Sequence, residues 1–126
     1  MTSAAIIGTT RWGTTLAILL GQRGIPVRMW ARTAREAQRI NRSRENPRLP
    51  GVSLPDSVSV TASAQECVSG AALVIFVVPS QTLRANVRAV KLCLAPGQVL
   101  VSAAKGLEEG TACRMSQVLA EEVDAS

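Results

Sequence analysis

The stretch that decides the fold is residues 4–13, which read AAIIGTTRWG. Its apolar run ending in Gly8 is typical of a buried strand, and the apolar residues after Trp12 follow helical spacing. The turn between them matches the dinucleotide fingerprint G-x-G-x-x-G at Gly8 and Gly13, with Thr10 at the middle glycine. We expect Gly8 to permit a tight turn and Gly13 to let the helix pack close to the strand. A structural turn that binds no ligand is the alternative.

The rest of the chain alternates short apolar runs with helical patterns, with no internal repeat. The predicted strands are 4–8, 27–30, 58–60, 71–78 and 99–103. The first predicted helix runs from Trp12 to about Arg23, and the second from a capping box at Thr33 and Glu36 to about Arg44. A short third helix is predicted over 64–68. The fourth runs from a Ser80 cap to about Leu94, and the last begins at Gly110-Thr111. Residues 46–56, with three prolines, predict a surface loop. The order predicts a single α/β domain over 1–126, Rossmann-like and doubly wound, with a parallel sheet in the order 3-2-1-4-5.

Composition excludes several chemistries. The chain has 126 residues with no histidine and no tyrosine, so it cannot itself supply serine–histidine catalysis, a histidine metal site or a tyrosine acid. Its three cysteines lack a CxxC pair and predict reduced, partly buried thiols. No metal site is expected. The longest apolar run is too short to span a bilayer and no signal peptide is apparent, so we expect a cytoplasmic protein without a membrane partner.

The net charge of +5 comes from one segment. Residues 28–48 hold seven arginines and two glutamates, and the remainder of the chain is neutral. Nucleic-acid binding is one interpretation of such a patch, but the chain has few aromatic residues to stack on bases. A solvated helix face is the favoured interpretation.

Two residues of the turn depart from the fingerprint. Thr10 at the middle glycine position predicts a positive φ, at a cost of about 1–2 kcal/mol, and a Cβ that crowds the ligand. Arg11 lies at the positive end of a helix dipole, which is mildly unfavourable until a diphosphate binds there. We therefore expect weakened rather than abolished dinucleotide binding.

Two basic residues follow predicted strands. Arg32 comes after the second strand, where NAD-specific domains usually carry a carboxylate, so it suits the 2′-phosphate of NADP. Lys105 comes just after the fifth strand, where a lysine can meet a phosphate or carbonyl oxygen. Both have an alternative interpretation as solvated surface side chains.

Several short motifs accompany these residues. They are Trp12-Gly13-Thr14 with Leu16-Ala17; Trp30-Ala31-Arg32; Ile40-Asn41; Arg44-Glu45-Asn46-Pro47 with Leu49-Pro50; Val78-Pro79-Ser80-Gln81; and Lys105-Gly106-Leu107-Glu108 with Gly110-Thr111. Together, over essentially the whole chain, they resemble the N-terminal domain of bacterial NAD(P)-dependent glycerol-3-phosphate dehydrogenase. That family reduces dihydroxyacetone phosphate to glycerol 3-phosphate, a small phosphorylated substrate of phospholipid biosynthesis, by hydride transfer from the nicotinamide.

The resemblance implies roles for individual residues. The family's cofactor contacts fall on Arg11, Trp12, Arg32 and Lys105, and Lys105 also faces the substrate. Pro79, with Ser80, lies beside the nicotinamide end. The cofactor is NADP or NAD, with NADP favoured by Arg32.

The sequence also departs from the family. Thr10 and Arg11 replace its usual glycine and serine, and an aromatic residue usually found between the positions of Arg48 and Leu49 is missing. The family continues past the position of residue 126 with a helical domain that carries its acid/base lysine. We therefore expect no catalytic residue in this chain and no complete catalysis by it alone.

Two explanations stay open: the cofactor domain of an ordinary dehydrogenase, and a non-catalytic NADP(H)-binding module. In either case the fifth strand is expected at an unpaired sheet edge, so we predict a homo-oligomer formed through that edge or the last helix.

Overall fold

The computed structural model describes residues 2–123, in which five short strands form one parallel sheet. The strands are β1 (Ala4–Ile7), β2 (Val27–Trp30), β3 (Val58–Thr61), β4 (Leu73–Phe76) and β5 (Val99–Ser102). Their order, β3-β2-β1-β4-β5, confirms the predicted doubly wound topology. The helices are α1 (Arg11–Gln22), α2 (Ala34–Ser43), α3 (Ala64–Val68), α4 (Leu83–Val90) and α5 (Met115–Val123). The predicted domain limits, 1–126, stay a prediction, since residues 1 and 124–126 lie outside the described residues.

The core lies on both faces of the sheet. All four residues of β1 are buried, and alternate side chains point to opposite faces, so Ala4 and Ile6 join one cluster while Ala5 and Ile7 join the other. The first cluster includes residues of α1 and α2, and the second includes residues of α3, α4 and α5. This two-sided burial explains why the central strands are apolar without alternation.

Two helices begin later than the sequence predicts. The Ser80 side chain caps no helix; residues 80–82 form a 3-10 turn and α4 starts at Leu83. The last helix starts at Met115 rather than at Gly110-Thr111, because Gly110 and Ala112 adopt left-handed backbone conformations that a right-handed helix cannot contain. A second 3-10 turn, Lys91–Cys93, ends the α4 region.

The strand predictions were too long in the middle of the sheet. The predicted strand 71–78 is shortened to Leu73–Phe76. Beyond it, the Val77 carbonyl accepts a hydrogen bond from the Thr10 hydroxyl at 3.0 Å, where a longer strand would continue its pairing. The loop at 46–56 is irregular as predicted, but it is not wholly on the surface, since Asn46 and Leu54 are buried.

The three cysteines are free thiols, and they differ in environment. Cys67 is fully buried in the second core cluster, whereas Cys93 and Cys113 are partly exposed. Burial raises the pKa of the Cys67 thiol to about 12, so this side chain stays protonated and packs as a small apolar group. Within residues 2–123 no group of three His, Cys, Asp or Glu side chains could hold a metal ion. No helix in that range is long and apolar enough to cross a membrane.

Candidate functional site

The turn between β1 and α1 has the tight geometry that its two glycines predict. Gly8 has φ of +122°, and a Cβ there would lie 2.4 Å from the Val77 carbonyl oxygen. A Cβ on Gly13 would lie 2.8 Å from the Gly8 carbonyl oxygen. Both positions therefore require the absence of a side chain, Gly8 for the turn and Gly13 for the close approach of α1 to β1.

Thr10 is not strained, which corrects the sequence prediction. Its φ is −68° and its ψ is 167°, an extended conformation that any residue adopts. The turn reaches positive φ at Gly8 alone, so Thr10 is free to act as the N-cap of α1. Its hydroxyl accepts a hydrogen bond from the Gly13 amide and donates one to the Val77 carbonyl, both at 3.0 Å.

The N-terminus of α1 presents two free backbone donors. The amide of Thr14 donates to the Thr10 carbonyl, and that of Gly13 to the Thr10 hydroxyl. Among the bonds within residues 2–123, the amides of Arg11 and Trp12 have no partner. Two unpaired amides at the positive end of a helix dipole are the donors that a phosphate group takes up.

A groove of about 250 Å³ opens at the carboxyl ends of β1, β2 and β4. It lies where doubly wound sheets bind ligands, at the point where the strand order reverses. Two arginines line it, and no carboxylate of residues 2–123 does, so it suits an anionic ligand. The full lining is Gly8, Thr9, Thr10, Trp30, Arg32, Arg48, Val78, Pro79 and Asn86.

The groove brings together some of the predicted residues and leaves others apart. It contains Gly8, Thr10, Arg32 and Pro79, whereas Gly13 is buried beneath the turn. The side chains of three further candidates, Arg11, Trp12 and Lys105, are exposed outside the lining, and Trp12 is 52% exposed.

A larger cavity lies elsewhere in the molecule. It has a volume of about 540 Å³ and is lined by residues that follow α4, together with the end of α5. None of the strand-end residues of the groove takes part in it. Position at the strand ends and chemistry, rather than size, identify the smaller groove as the candidate site.

Sequence reasoning missed the buried Asn46. Its side-chain amide donates to the Thr9 carbonyl and to the Thr14 hydroxyl, both at 2.8 Å, and its oxygen accepts from the Arg48 amide at 3.0 Å. It thereby ties the loop after α2 to the glycine turn. Residues 37 positions apart meet here, a contact that no local spacing predicts.

Glu36 also has a role that its motif does not predict. Its amide donates to the Thr33 hydroxyl at 3.1 Å, which is half of the expected capping box. Its carboxylate instead accepts from the Thr9 hydroxyl at 2.6 Å and faces the Arg48 guanidinium at 3.7 Å. The nearest acidic group after β2 is thus already engaged by the glycine turn.

The arginine segment divides into structural and solvated members. The Arg28 guanidinium donates to the Ser69 carbonyl at 2.6 Å, and that of Arg44 donates to the carbonyls of Pro55 and Val58 at 2.7 Å. The remaining α2 arginines, 35, 39 and 42, share an exposed helix face. The exposure of these three arginines agrees with the interpretation of the charged segment as a solvated helix face.

The connection that carries Lys105 is fastened to the start of α4. The Gln81 side chain donates to the Leu107 carbonyl at 3.0 Å and accepts from the Glu109 amide at 2.8 Å. The Arg84 guanidinium holds both oxygens of Glu108, at 2.8 and 2.9 Å. Lys105 itself is exposed two residues before this attachment.

Arg84 also joins this connection to α5. It contacts Glu121 and Glu122, each at 2.7 Å. Hydrogen bonds from Arg84, and then from Thr111, lower the pKa of Glu108 to about 2. Hydrogen bonds from Arg88, and then from Arg84, lower the pKa of Glu122 to about 2. Hydrogen bonds to Glu108, and then to Glu121 and Glu122, raise the pKa of Arg84 further above its ordinary value.

A doubly wound parallel sheet with a glycine turn, a free helix N-terminus and a basic groove at its carboxyl edge defines a Rossmann-type nucleotide-binding domain. Residues 3–126 match the family described as NAD-dependent glycerol-3-phosphate dehydrogenase N-terminus, and the chain belongs to that family.

The chain is also similar to individual proteins named glycerol-3-phosphate dehydrogenase. The chain is 45% identical over 126 residues to a glycerol-3-phosphate dehydrogenase [NAD(P)+] of Corynebacterium glutamicum, and 49% identical over 119 residues to one of Streptomyces griseus. These alignments cover 99% and 94% of this chain but 38% and 35% of the relatives. The crystal structure of glycerol-3-phosphate dehydrogenase from Coxiella burnetii has the same fold, with a TM-score of 0.89 at 24% identity, over 97% of this chain and 38% of that one. The chain thus spans little more than a third of the length of these proteins.

Proposed function

We propose that this chain is the cofactor-binding domain of a glycerol-3-phosphate dehydrogenase and binds NADP(H) or NAD(H) in the groove beside the glycine turn. The observation that carries the proposal is the pair of unpartnered amides, Arg11 and Trp12, at the N-terminus of α1 next to a groove without carboxylates. A dinucleotide pyrophosphate needs this combination of free donors and positive potential.

The residues of the groove fit such a ligand. The absence of a Cβ at Gly8 keeps the turn tight, and the amides of Arg11 and Trp12 bind the pyrophosphate. Arg32, at the end of β2, binds the 2′-phosphate and so favours NADP. Pro79, which follows β4, would lie beside the nicotinamide, and the Lys105 ammonium would contact the phosphorylated substrate. The bound nicotinamide supplies the hydride.

The activity belongs to the longer enzyme that the relatives represent. There NAD(P)H would supply the hydride, and an acid/base group the proton, that reduce dihydroxyacetone phosphate to sn-glycerol 3-phosphate for phospholipid biosynthesis in the cytoplasm. This chain contains two lysines, Lys91 and Lys105. Lys91 faces Glu122 at 3.5 Å, away from the groove, and the resemblance assigns Lys105 to substrate binding rather than to acid/base catalysis. We expect cofactor binding without turnover by the 126 residues.

The test is a titration of the purified chain with NADPH and with NADH, followed by calorimetry and by tryptophan fluorescence. Trp30 lines the groove, so saturable quenching is expected to accompany the heat of binding. We expect tighter binding of NADPH, and a loss of about tenfold in NADPH affinity in Arg32→Ala. The matched control is Arg42→Ala, which removes the same charge from the exposed face of α2. Absence of binding at millimolar concentrations of both cofactors would refute the proposal.

The non-catalytic binding module is not favoured. The strain expected at Thr10, which would weaken dinucleotide binding, is absent.

We also propose that the chain associates with a second copy through the β5 edge. β5 pairs only with β4 among residues 2–123, and its Val99 and Val101 side chains are 55% and 39% exposed. An unpaired edge flanked by exposed apolar side chains favours strand pairing between chains. Sedimentation across the micromolar range tests this proposal, and a strictly monomeric chain would contradict it.

A further inference from the structure

Arg48 is the one groove residue that reaches the site from the loop after α2. Its backbone is held by the buried Asn46, whose side-chain oxygen accepts the Arg48 amide at 3.0 Å. Its side chain is half exposed and lines the groove together with Arg32. The position of Arg48 is therefore fixed at the backbone while its guanidinium stays accessible to a ligand.

Within residues 2–123 the guanidinium of Arg48 has only long contacts. It lies 3.4 Å from the carbonyl and from the hydroxyl of Thr9, and 3.7 Å from the Glu36 carboxylate. An ion pair of this length that involves a half-exposed arginine contributes little to stability. A ligand phosphate that approaches the groove can therefore recruit this side chain at small cost.

The Glu36 carboxylate, in contrast, is held firmly. It accepts the Thr9 hydroxyl at 2.6 Å, and its side chain is only 15% exposed. It lies in the first turn of α2, close to the place where NAD-specific domains use a carboxylate to bind the ribose hydroxyls. Its Oε1 accepts the Thr9 hydroxyl and its Oε2 faces Arg48, so both oxygens already have partners in the protein.

These contacts place Arg48 on the β2 side of the glycine turn. The guanidinium lies between Thr9 in the turn and Glu36 in α2, whereas the pyrophosphate donors are the α1 amides. In NADP, the phosphate nearest to the β2 side is the 2′-phosphate of the adenosine ribose.

We propose that Arg48 is a specificity-determining residue whose guanidinium, together with that of Arg32, binds the 2′-phosphate that distinguishes NADPH from NADH. This inference rests on the proposed cofactor-binding function. A pair of guanidinium groups that approach one phosphate from different elements gives it more charge-assisted hydrogen bonds than Arg32 alone provides.

The experiment measures the dissociation constants of NADPH and NADH for the full chain and three variants. Arg48→Ala removes the guanidinium, and Arg48→Lys keeps the positive charge but loses the bidentate hydrogen-bonding geometry of the guanidinium. Arg39→Ala is the matched control on the exposed face of α2. We expect Arg48→Ala to weaken NADPH binding about tenfold while NADH binding changes less than about twofold. The NADPH affinity of Arg48→Lys is expected to lie between those of the parent and Arg48→Ala. The affinities of Arg39→Ala for both cofactors should match those of the parent.

The outcomes separate this inference from the function on which it rests. Equal weakening of NADPH and NADH by Arg48→Ala would overturn the inference, because Arg48 would then act on the shared pyrophosphate or on the turn. Unchanged binding of both would overturn it as well, and in either case cofactor binding itself stands. Failure of the parent chain to bind either cofactor would overturn both. Thermal unfolding checks that Arg48→Ala is folded; if it is not, Arg48→Lys decides by its NADPH to NADH ratio.

Discussion

The two loops at the carboxyl edge of the sheet are built on different physical principles. The turn between β1 and α1 is shaped by backbone contacts around Gly8 and Gly13, where no side chain fits. The connection between β5 and α5 is held by charged side chains, with Arg84 between Glu108 and the two glutamates of α5. One loop depends on sterics and the other on electrostatics.

This difference predicts different sensitivities. Steric fit does not change with pH, so the glycine turn should keep its shape wherever the protein is folded. Carboxylates lose their attraction to arginine once they are protonated, so the connection that carries Lys105 should loosen in acid. The part of the site assigned to the cofactor is thus more robust than the part assigned to the substrate.

The largest expected effect is that of Gly8→Ala. The added methyl would lie 2.4 Å from the Val77 carbonyl oxygen at a φ of +122°, and neither backbone segment can move away without opening the sheet. We expect the free energy of unfolding to fall by at least about 3 kcal/mol, measured by urea denaturation. Gly24→Ala is the control, because Gly24 also has positive φ but has no atom within 4 Å of an added Cβ. Equal losses in the two variants would show that backbone strain alone, and not the close contact, matters.

An intermediate effect is expected from acid. The pKa values of Glu108 and Glu122 are lowered from 4.5 to about 2 in the folded chain, so their contribution to stability is complete above pH 4.5 and is lost as the pH falls toward 2. Denaturation midpoints at stepped pH should decrease through this window. In Arg84→Met the decrease should be smaller, because Glu108 then loses the main cause of its lowered pKa. An unchanged pH profile in that variant would contradict the assigned role of Arg84.

The smallest expected effect is that of Thr10→Ala. It removes the hydroxyl that caps α1 and binds the Val77 carbonyl, at a cost of about 1 kcal/mol in thermal or urea unfolding. Thr10→Ser keeps both hydrogen bonds and should match the parent. A stabilising Thr10→Gly would instead support the strain that the sequence predicts for this position, because only glycine relieves a positive φ.

The topology could be predicted from the sequence because each apolar run is bounded by glycine, proline or a cap. Helix starts were predicted less well, since Ser80 resembles a cap and the left-handed Ala112 leaves no mark in the sequence. Within the site, Gly8 and Arg32 could be found because their roles depend on position after a strand. Asn46 and Arg48 could not, because their contacts join segments far apart in the chain.

Arg44 gives the neighbouring loop an unusual freedom. This residue ends α2 in a left-handed conformation; its carbonyl accepts the Leu54 amide at 2.7 Å, and its guanidinium donates to Pro55 and Val58 at the same distance. Residues 45–53 therefore form an arch whose two ends are fastened at one point. We therefore expect a change of length inside the arch to leave the register of β3 unchanged. The length of this groove rim is thus separated from the pairing of the sheet beneath it, apart from the hydrogen bonds of Asn46 to Thr9 and Thr14.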